Sequence, residues 1–535
     1  MGLKADKLTT RQNVGEGRRM GYEKVCILGL DCAEPSLVFD RYRAELPFLA
    51  RLMARGCYGP LESTVPPITV PAWMCMMTGQ DPGTLGIYGF RNRRDRSYEA
   101  LEFANSHMVQ APALWDILGE YGKESLIVGV PLTYPPKPLK GVLVSDFLAP
   151  STQEEYTYPP EFRHEIAQVV GDYLLDARGF REKDRDTLLT EIYEMTKRRF
   201  ALAKHLLTTR PWNLFVMVEM GPDRMHHAFW RYMDAHHPFY EPGHRFVNAI
   251  RDYYRYLDSQ IEAFVQLLDG DTLLLVVSDH GAKPMVGGFC FNEWLIREGY
   301  LVLKTVPEAP TKFSPKMVDW SRTRAWGDGG YYGRLFLNVR GREPQGTVPP
   351  EEVEALKQEL IQRIEALTDD KGQPMGNRVF RPEEVYTSCQ GVPPDLIVYF
   401  GDLHWRSVGS VGHNSLWTHT NDTGPDDANH APFGIFLMAD VKALRDAEAP
   451  VKTFDTTDAL KGLSLYDIAP TVLNAFDLPI PANMRGKVIQ RDWTGASPSG
   501  REQISSLSTP MQAERAYTEQ EEEELARRLE ELGYI

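Results

Sequence analysis

The stretch "LLLVVSDHGAKP", from Leu273 to Pro284, places an acid and an imidazole directly after an apolar run. Continuous hydrophobicity, without polar residues at alternate positions, is typical of a parallel strand that is covered on both faces. Asp279 and His280 come at the carboxyl end of this predicted strand, the edge where open α/β sheets bind their ligands. The stretch therefore predicts a buried sheet with functional polar side chains along one edge.

Other apolar runs along the chain have the same character, and helical patterns lie between them. The clearest helical pattern ends at Gly270, and its apolar face consists of Leu257, Ile261, Phe264, Val265 and Leu268. Strands that alternate with helices predict an α/β fold with a doubly wound, mostly parallel sheet. The predicted strands are residues 24–30, 125–130, 214–219, 272–278, 395–400 and 433–439.

The length of 535 residues exceeds the usual size of one compact core, so we expect a large domain with insertions or two domains. Two stretches interrupt the strand–helix alternation, and we interpret both as insertions that cap the core. In the tail, Leu525, Leu529 and Leu532 form one stripe of a predicted docking helix. The expected divisions are a flexible tail at 1–20, a main domain at 21–490 with insertions at about 151–205 and about 301–390, and a C-terminal tail at 491–535.

The formal net charge of −15 excludes a general nucleic-acid coat protein, because phosphate backbones would be repelled. It allows a small anionic substrate, since bound metal ions can invert the local field. The N-terminus lacks the apolar core of a secretory signal, and no run approaches the ~18 apolar residues of a membrane span. The six cysteines show no regular spacing and are typical of reduced core thiols. We therefore expect a cytoplasmic protein.

Acids follow three of the predicted strands, and histidines accompany them. The residues are Asp31, Asp223, Asp279, His227, His280 and His430. Singly, such an Asp is a turn former or helix cap, and a D-x-x-x-H pair is a surface contact within a helix. Together, three Asp and three His at one sheet edge are enough ligands for two metal ions. Mixed Asp/His sites suit zinc, with manganese or iron as alternatives, and a cation would offset the repulsion between the carboxylates.

A candidate nucleophile lies in "STVPPITVPAWMCMMTGQDPGTLGIYGF", residues 63–90. Thr69 precedes Pro71 and an apolar run, which is typical of a helix N-cap with proline in the first turn. A helix N-terminus also binds phosphate through its free N–H groups and its dipole. A metal-activated threonine hydroxyl at that position would be well placed as a nucleophile. Two-metal sites are a recurring device for displacement at phosphorus. The residues alone leave the cap and the nucleophile both open.

Several segments, in order, resemble the motifs of the alkaline phosphatase superfamily. The closest branch is the type I phosphodiesterase/nucleotide pyrophosphatase group, with its relatives described as predicted phosphohydrolases or phosphomutases. The resemblance covers most of residues 22–490 outside the insertions. It is carried by "GLD" ending at Asp31, "TVPAWMCMMTGQDPGTLGIYGF", "DRMHHAFW", "VVSDHG", "NHAPFGIFLMAD" and "LSLYDIAPTVLNAFDLPIPANMRG".

The resemblance implies a hydrolase that cleaves a small-molecule phosphate ester, with phosphodiesters as the expected class. It implies attack by Thr69 on phosphorus, a covalent phospho-threonine, and release by water. Two divalent ions are implied, zinc first and manganese as the alternative. The implied ligands are Asp223, His227 and His430 for one ion, and Asp31, Asp279 and His280 for the other, with Thr69 reaching the second.

The sequence departs from the phosphodiesterase pattern in two places. Ala72 stands where the group often has an Asn that binds a phosphate oxygen, and Leu85 stands in the place of a His. Both departures bear on the nucleotide-pyrophosphatase subtype and leave the metal ligands unchanged. Arg91, Arg93 and Arg94 are either replacement phosphate contacts or solvated residues. His413 and His419 either line the pocket or belong to a loop. The four-residue spacing to Asp223 favours His227 over His226 as a ligand.

Other functions stay open at this point. The phosphomutases of the superfamily that this sequence resembles have a serine nucleophile followed by a long insertion, and neither feature is evident here. A sulfatase needs Cys or Ser within C/S-x-P-x-R, which Thr69 does not supply. Hydrolysis of phosphate monoesters or phosphonate monoesters would use the same site, and a metal-stabilised binding scaffold is the non-enzymatic alternative. The natural substrate and the oligomeric state leave no trace in the sequence.

Overall fold

The computed structural model describes residues 21–181, 183–420, 426–446, 459–490, 501–502 and 516–534. The predicted flexible tail at 1–20 and much of the tail from 491 onward lie outside these residues. The strands are β1 (Lys24–Leu30), β2 (Cys57–Glu62), β3 (Arg91–Arg93), β4 (Leu101–Phe103), β5 (Ser125–Val128), β6 (Gly141–Val144), β7 (Thr157–Tyr158), β8 (Leu214–Glu219), β9 (Thr272–Val277), β10 (Gly281–Pro284), β11 (Gly287–Cys290), β12 (Ala325–Asp328), β13 (Gly333–Leu337), β14 (Arg378–Phe380), β15 (Leu396–Tyr399), β16 (Trp405–Val408), β17 (Trp417–Thr418), β18 (Ala428–Ala431), β19 (Phe433–Asp440), β20 (Leu463–Ser464), β21 (Ile480–Pro481) and β22 (Arg501–Glu502).

Most helices cover the two faces of the central sheet, and others pack in a second hydrophobic core. The helices are α1 (Pro47–Arg55), α2 (Thr69–Thr78), α3 (Pro82–Leu85), α4 (Leu114–Glu120), α5 (Phe162–Val170), α6 (Arg185–Thr209), α7 (Gly221–Met233), α8 (Ala249–Val265), α9 (Phe291–Arg297), α10 (Val353–Glu365), α11 (Pro382–Val385), α12 (Val441–Arg445), α13 (Ile468–Ala475) and α14 (Glu519–Leu532). The apolar face predicted for α8 is buried, and the helix begins at Ala249 and ends at Val265, before Gly270.

Within the described residues, the central sheet has nine strands in the order β20, β2, β19, β9, β1, β8, β5, β6 and β7. The five strands from β9 to β6 run parallel, with Val25 of β1 paired to Leu214 of β8 and Leu273 of β9. Every residue of β8 and β9 is buried because helices cover both sheet faces. The predicted α/β fold with a mostly parallel sheet is confirmed.

Two predicted parallel strands have a different place in the structure. β19 lies in the central sheet but runs antiparallel to both of its neighbours, β9 and β2. β15 belongs to a separate antiparallel sheet in the order β12, β13, β15 and β14. Both predictions of direction were wrong, because a continuous apolar run indicates burial on two faces and carries no information about strand direction or sheet membership.

A second hydrophobic core lies beneath this smaller sheet. Its buried side chains include Phe291, Trp294, Leu335 and Leu360, and it extends from Phe289 to Val411. The residues of this second core, the second layer of the molecule, extend beyond the insertion expected at about 301–390, on both sides of it in the sequence. Two tyrosines from the same part of the chain, Tyr331 and Tyr332, pack instead against the main core, so the second layer reaches the edge of the central sheet.

The remaining sequence predictions concern the other insertion, the tail helix and membrane-spanning helices. The stretch 151–205 contains β7, α5 and most of α6, and α6 packs on α7 and α8. Leu525, Leu529 and Leu532 of α14 are buried, as the helical stripe predicted. Among the described helices, none is long and apolar enough to cross a membrane. The domain boundaries themselves stay a prediction.

Candidate metal and phosphoryl-transfer site

The three acids come together because their strands are neighbours. β1 lies between β8 and β9, and all three run in the same direction. Asp31 follows β1 and Asp279 follows β9 after one residue, while Asp223 lies in the first turn of α7, which begins soon after β8 ends. Three carboxylates therefore meet at one edge of the sheet, as ligands do in this class of fold.

A short two-stranded ribbon adds the histidines. β18 pairs antiparallel with β10, and in this register His430 faces Ala282, two residues beyond His280. The rings of His280 and His430 stack with their centroids 3.8 Å apart. His227 lies one helical turn after Asp223 in α7, so both side chains point to the same side of that helix. The pairing of β10 with β18 explains how a residue so late in the chain joins the site.

The side chains form two overlapping groups of atoms that could hold metal ions. One ligand atom each from Asp31, Asp279 and His280 lies within 4.8 Å of the others, and the same holds for Asp223, His280 and His430. His227 Nε2 lies 3.2 Å from Asp223 Oδ1, and His430 Nε2 lies 3.8 Å from the same oxygen. His280 Nε2 lies 3.1 Å from Asp279 Oδ2. The six expected ligands are thus brought together, with His280 facing both groups.

The atoms that face one another have no hydrogen-bond partner among the described residues, although they are buried. They are Asp31 Oδ1, Asp223 Oδ1, His227 Nε2, Asp279 Oδ2 and His430 Nε2. An unpaired buried polar atom is costly, and here five of them converge. Carboxylate oxygens and imidazole nitrogens are donors that divalent transition metals prefer. The residues therefore fit a metal centre.

The opposite atom of each side chain is held by a partner, which orients the facing atom toward the cluster. Trp73 Nε1 donates to Asp31 Oδ2 (2.7 Å), the Cys32 N–H donates to Asp279 Oδ1 (3.2 Å), and Arg224 and the Tyr534 hydroxyl both donate to Asp223 Oδ2. The Nδ1 atoms of His227, His280 and His430 lie 2.7, 3.1 and 2.8 Å from Asp426 Oδ1, the Gly281 carbonyl and the Pro67 carbonyl.

The approach of Trp73 to Asp31 depends on a glycine in β1. A Cβ built on Gly29 would lie 2.3 Å from the Trp73 ring, so the indole crosses the strand only because no side chain is there. Trp73 itself is fully buried in α2. The sequence "GLD" thus serves two purposes, since Gly29 admits the indole and Asp31 receives its hydrogen bond.

Thr69 is the first residue of α2, and its hydroxyl faces the cluster. Ile68 holds the N-cap position, and no side chain caps this helix, so the interpretation of Thr69 as an N-cap was wrong. Thr69 Oγ1 lies instead 3.2 Å from His280 Nε2. Thr69 already has helical geometry, and its hydroxyl contacts His280 and not a first-turn N–H group. Those groups remain at the helix N-terminus.

Burial and charge set the protonation of the cluster in the protein alone. Burial, with the charges of Asp279 and Asp223, holds the pKa of Asp31 well above its usual value. Burial would raise the pKa of Asp223 too, but His227 and Arg224 hold it well below normal. Burial also lowers the pKa of His430, with a contribution from His280. For His227, Asp426 and Asp223 outweigh burial and raise the pKa to about 10. The centre is therefore strongly polarised.

The other singled-out residues lie apart from these contacts. His226 points to the hydroxyl of Tyr254, 3.2 Å away, and burial lowers its pKa to about 3. His413 binds the Ser410 hydroxyl, and His419 pairs with Asp370. Arg91 and Arg93 form ion pairs with Asp328 and Glu343 of the second layer, and Arg94 is largely exposed beside Asp95. The Ala72 and Leu85 side chains are buried.

Sequence reasoning missed the residues that support the ligands. Asp426, Tyr331 and Tyr534 contact His227 or Asp223, but none follows a predicted strand or belongs to a recognisable spacing. Arg224 was within a motif, next to Asp223, and its buried bidentate pair with Asp176 gave no signal in the sequence. Asp426 lies four residues before His430, which is the one signal that was available.

A mostly parallel sheet with buried Asp and His side chains at its carboxyl edge places the candidate metal centre where open α/β enzymes bind their ligands. The sequence matches the family described as type I phosphodiesterase/nucleotide pyrophosphatase over residues 25–426. The chain belongs to this family, and the resemblance drawn from its motifs is confirmed. A comparison with curated protein sequences finds no significant match.

Two solved structures of one enzyme share the fold at low sequence identity. Phosphonoacetate hydrolase from Sinorhizobium meliloti 1021 in complex with phosphonoformate is 16% identical with a TM-score of 0.55, covering 86% of this chain and 97% of that chain. Its complex with phosphonoacetate is 15% identical with a TM-score of 0.52, at the same coverage. Human ectonucleotide pyrophosphatase/phosphodiesterase 5 is 12% identical with a TM-score of 0.46, covering 85% and 95%.

Proposed function

We propose that the protein is a metal-dependent phosphodiesterase that attacks phosphorus with the hydroxyl of Thr69. The observation that carries the proposal is the set of five unpaired, buried ligand atoms that converge beside that hydroxyl. Each side chain of the cluster is hydrogen-bonded through one polar atom and leaves the other unpaired toward the centre, an arrangement suited to binding cations. Without cations, carboxylates that repel one another would be buried together.

The ligand set follows the contacts of the site. Zinc is the proposed metal, with manganese as the alternative, because the donors mix carboxylate oxygens with imidazole nitrogens. The proposed ligands are Asp223, His227 and His430 for one ion, and Asp31, Asp279 and His280 for the other, with Thr69 beside the second.

When bound, two such ions would lower the pKa of the nucleophilic hydroxyl and offset the charge that develops on the phosphoryl oxygens. Thr69 Oγ1 would lose its proton and form a bond to phosphorus as the bond to the leaving alkoxide breaks, and the alkoxide would take up a proton to leave as the alcohol, giving a phospho-threonine. Water would then attack the same phosphorus and lose a proton, the bond to Oγ1 would break, and Oγ1 would take up a proton to restore Thr69. The N-terminus of α2 would bind a phosphoryl oxygen through its free N–H groups.

The test compares turnover of bis-p-nitrophenyl phosphate with turnover of p-nitrophenyl phosphate by protein loaded with zinc or manganese. A ratio well above one is expected, and Thr69→Ala should abolish both activities. The matched control is Thr78→Ala, since Thr78 is a buried threonine of the same helix whose hydroxyl donates to the Met74 carbonyl. This control should retain the parent ratio.

Each departure from this result has a meaning. A ratio well below one would replace the diesterase with a phosphatase or a phosphomutase at the same site. Activity of Thr69→Ala equal to the parent would show that the nucleophile is another group. Acid quenching during turnover, followed by mass spectrometry, should find a phosphate on the peptide that contains Thr69, and Thr69→Ser should carry it on serine.

A further inference from the structure

The helix α14 ends beside the proposed metal centre, and the residue after its C-cap reaches that centre. Gly533 closes the helix in a left-handed conformation, with φ +84°. Tyr534 follows, and its ring stacks on Phe90 with the centroids 4.0 Å apart. Only 6% of Tyr534 is exposed, although it follows a helix whose outer face is acidic. The sequence suggested only that this helix docks.

The hydroxyl of Tyr534 shares a hydrogen-bond network with a proposed metal ligand. It donates to Asp223 Oδ2 at 3.2 Å and accepts from Arg224 Nη1 at 2.8 Å. The guanidinium of Arg224 is fixed from the other side by two bonds to Asp176, at 2.8 and 2.6 Å. Asp223 Oδ2 is thus occupied, which turns Oδ1 toward His227 and His430.

Several contacts hold α14 in this position. Three leucines on its inner face are buried, and Tyr517 ahead of the helix stacks on Tyr134. Arg528 donates to the Ala149 and Pro150 carbonyls, and the Tyr331 hydroxyl oxygen lies 2.9 Å from the Leu532 carbonyl oxygen. The burial of the three leucines, together with these hydrogen bonds, makes α14 a firmly docked element.

Gly533 is needed for the close approach. A Cβ at this position would lie 2.2 Å from Arg181 Nη2, 2.9 Å from the Tyr331 hydroxyl and 3.1 Å from Asp426 Oδ2. Asp426 in turn holds His227. The turn after α14 therefore touches the supports of two proposed ligands, Asp223 and His227.

We propose that Tyr534 is a positioning residue for the metal ion held by Asp223, and that α14 is the element that carries it to the site. The inference rests on the proposed function, which assigns Asp223 as a ligand. Tyr534 acts through the Asp223 carboxylate, and its ring is held by the stack on Phe90.

The test measures zinc affinity of the full chain by competition with a chromophoric chelator. Tyr534→Phe keeps the stacked ring and removes the bond to Asp223, so one of two dissociation constants should rise about 10- to 100-fold. Tyr517→Phe is the control, because this tyrosine belongs to the same docked segment and its hydroxyl donates to the Leu148 carbonyl, away from the proposed metal ligands. Both of its dissociation constants should equal those of the parent.

Kinetics separate positioning from substrate contact. If Tyr534 acts through the metal site, the activity lost in Tyr534→Phe should return when zinc is raised above the new dissociation constant, with KM unchanged. A raised KM at saturating zinc would overturn the inference, because it would place the hydroxyl on the substrate.

Gly533→Ala provides a second variant. Its Cβ should displace the turn and weaken zinc binding at least as much as Tyr534→Phe does. Gly171→Ala is its control, since Gly171 has a similar φ of +69° with nothing within 4 Å of an added Cβ. Equal zinc affinity in Gly533→Ala and the parent would count against a role for α14.

Asp223→Ala separates failure of this inference from failure of the proposed function. If Asp223→Ala weakens zinc binding and Tyr534→Phe does not, Tyr534 is a packing residue and the inference is wrong while the metal site stands. If Asp223→Ala leaves both dissociation constants unchanged, the ligand assignment is wrong, and the role of Tyr534 falls with it.

Discussion

At the scale of single residues, the side chains that hydrogen-bond to the proposed ligands matter as much as the proposed ligands do, because they fix the ligand orientation. Asp426 is a clear example, because one of its oxygens lies 2.7 Å from His227 Nδ1 and the other accepts from Arg181 and Tyr331. An imidazole fixed in this way presents Nε2 to the cluster in a single orientation. The partner also makes the ring a better donor to a cation.

We expect Asp426→Asn to raise the zinc dissociation constant about 10- to 100-fold, because the carboxylate that orients His227 is lost. Equilibrium competition with a chelator measures this effect. Asp427→Asn is the matched control, since Asp427 is buried next door and pairs with Arg231. Its zinc affinity should be that of the parent. Unchanged affinity in Asp426→Asn would mean that His227 needs no carboxylate partner.

Metal binding should release protons at neutral pH. In the protein alone the pKa of His227 is raised to about 10, so its ring is protonated at pH 7.5 and must lose that proton to bind an ion. Apparent affinity should therefore rise about tenfold per pH unit for each proton released, and this dependence should level off near pH 10.

Calorimetry in two buffers of different ionisation enthalpy gives the number of protons released. At pH 7.5 we expect at least one. The raised pKa of Asp31 acts in the same direction, because a protonated carboxyl must also ionise before it binds. Release of no proton would contradict the charged state of His227.

At the scale of secondary-structure elements, α2 crosses β1 so closely that the two share the site. The indole of Trp73 passes over Gly29 to reach Asp31, and Thr69 begins the same helix. One helix thus supports a proposed ligand and carries the proposed nucleophile. Any shift of α2 against β1 moves both.

Gly29→Ala should therefore lower stability and weaken metal binding together. The added Cβ meets the Trp73 ring at 2.3 Å, and overpacking of this kind costs about 1–3 kcal/mol. Thermal unfolding in excess chelator measures stability without metal, and chelator competition measures affinity. Gly119→Ala, in α4 with its nearest atom 3.9 Å away, should keep the parent affinity and be at least as stable, because alanine favours a helix over glycine. Parent-like affinity in Gly29→Ala would separate Trp73 from the site.

The elements were largely predictable from apolar runs, since β1 and β8 begin and end where the runs do. The positions of Asp31 and Asp279 followed from strand ends, that of His227 from its spacing to Asp223, and that of His430 from its place just before a predicted strand. The supports were not predictable, because Tyr331 and Tyr534 reach the site only through packing of distant segments. The directions of β19 and β15 depended on pairing, which a run of apolar residues does not encode.

At the scale of the whole molecule, the proposed metal centre concentrates buried charge. Asp31, Asp223 and Asp279 are all fully buried, and the formal net charge of the chain is −15. Removal of bound cations should leave these carboxylates to repel one another in a medium that screens them poorly. The cytoplasmic location stays a prediction.

We expect chelation of metal to lower the melting temperature, and zinc or manganese to restore it. A free ion concentration a hundredfold above the dissociation constant adds about 2.7 kcal/mol to the free energy of unfolding for each site. Asp223→Ala combined with Asp279→Ala should show no response to added metal. Identical melting of the parent with and without chelator would contradict a tightly bound metal centre.

The register of the central strands has a consequence for the order of events during folding. Val25 meets Leu214 and Leu273 only after long stretches of intervening chain have been arranged, and His430 arrives later still. Contacts so distant in sequence form slowly, because loop closure must precede them. An ion would therefore find its donors assembled only in a nearly finished molecule. In this architecture the proposed capture of metal would be a late maturation step, and the chain would reach its topology without a cation as template.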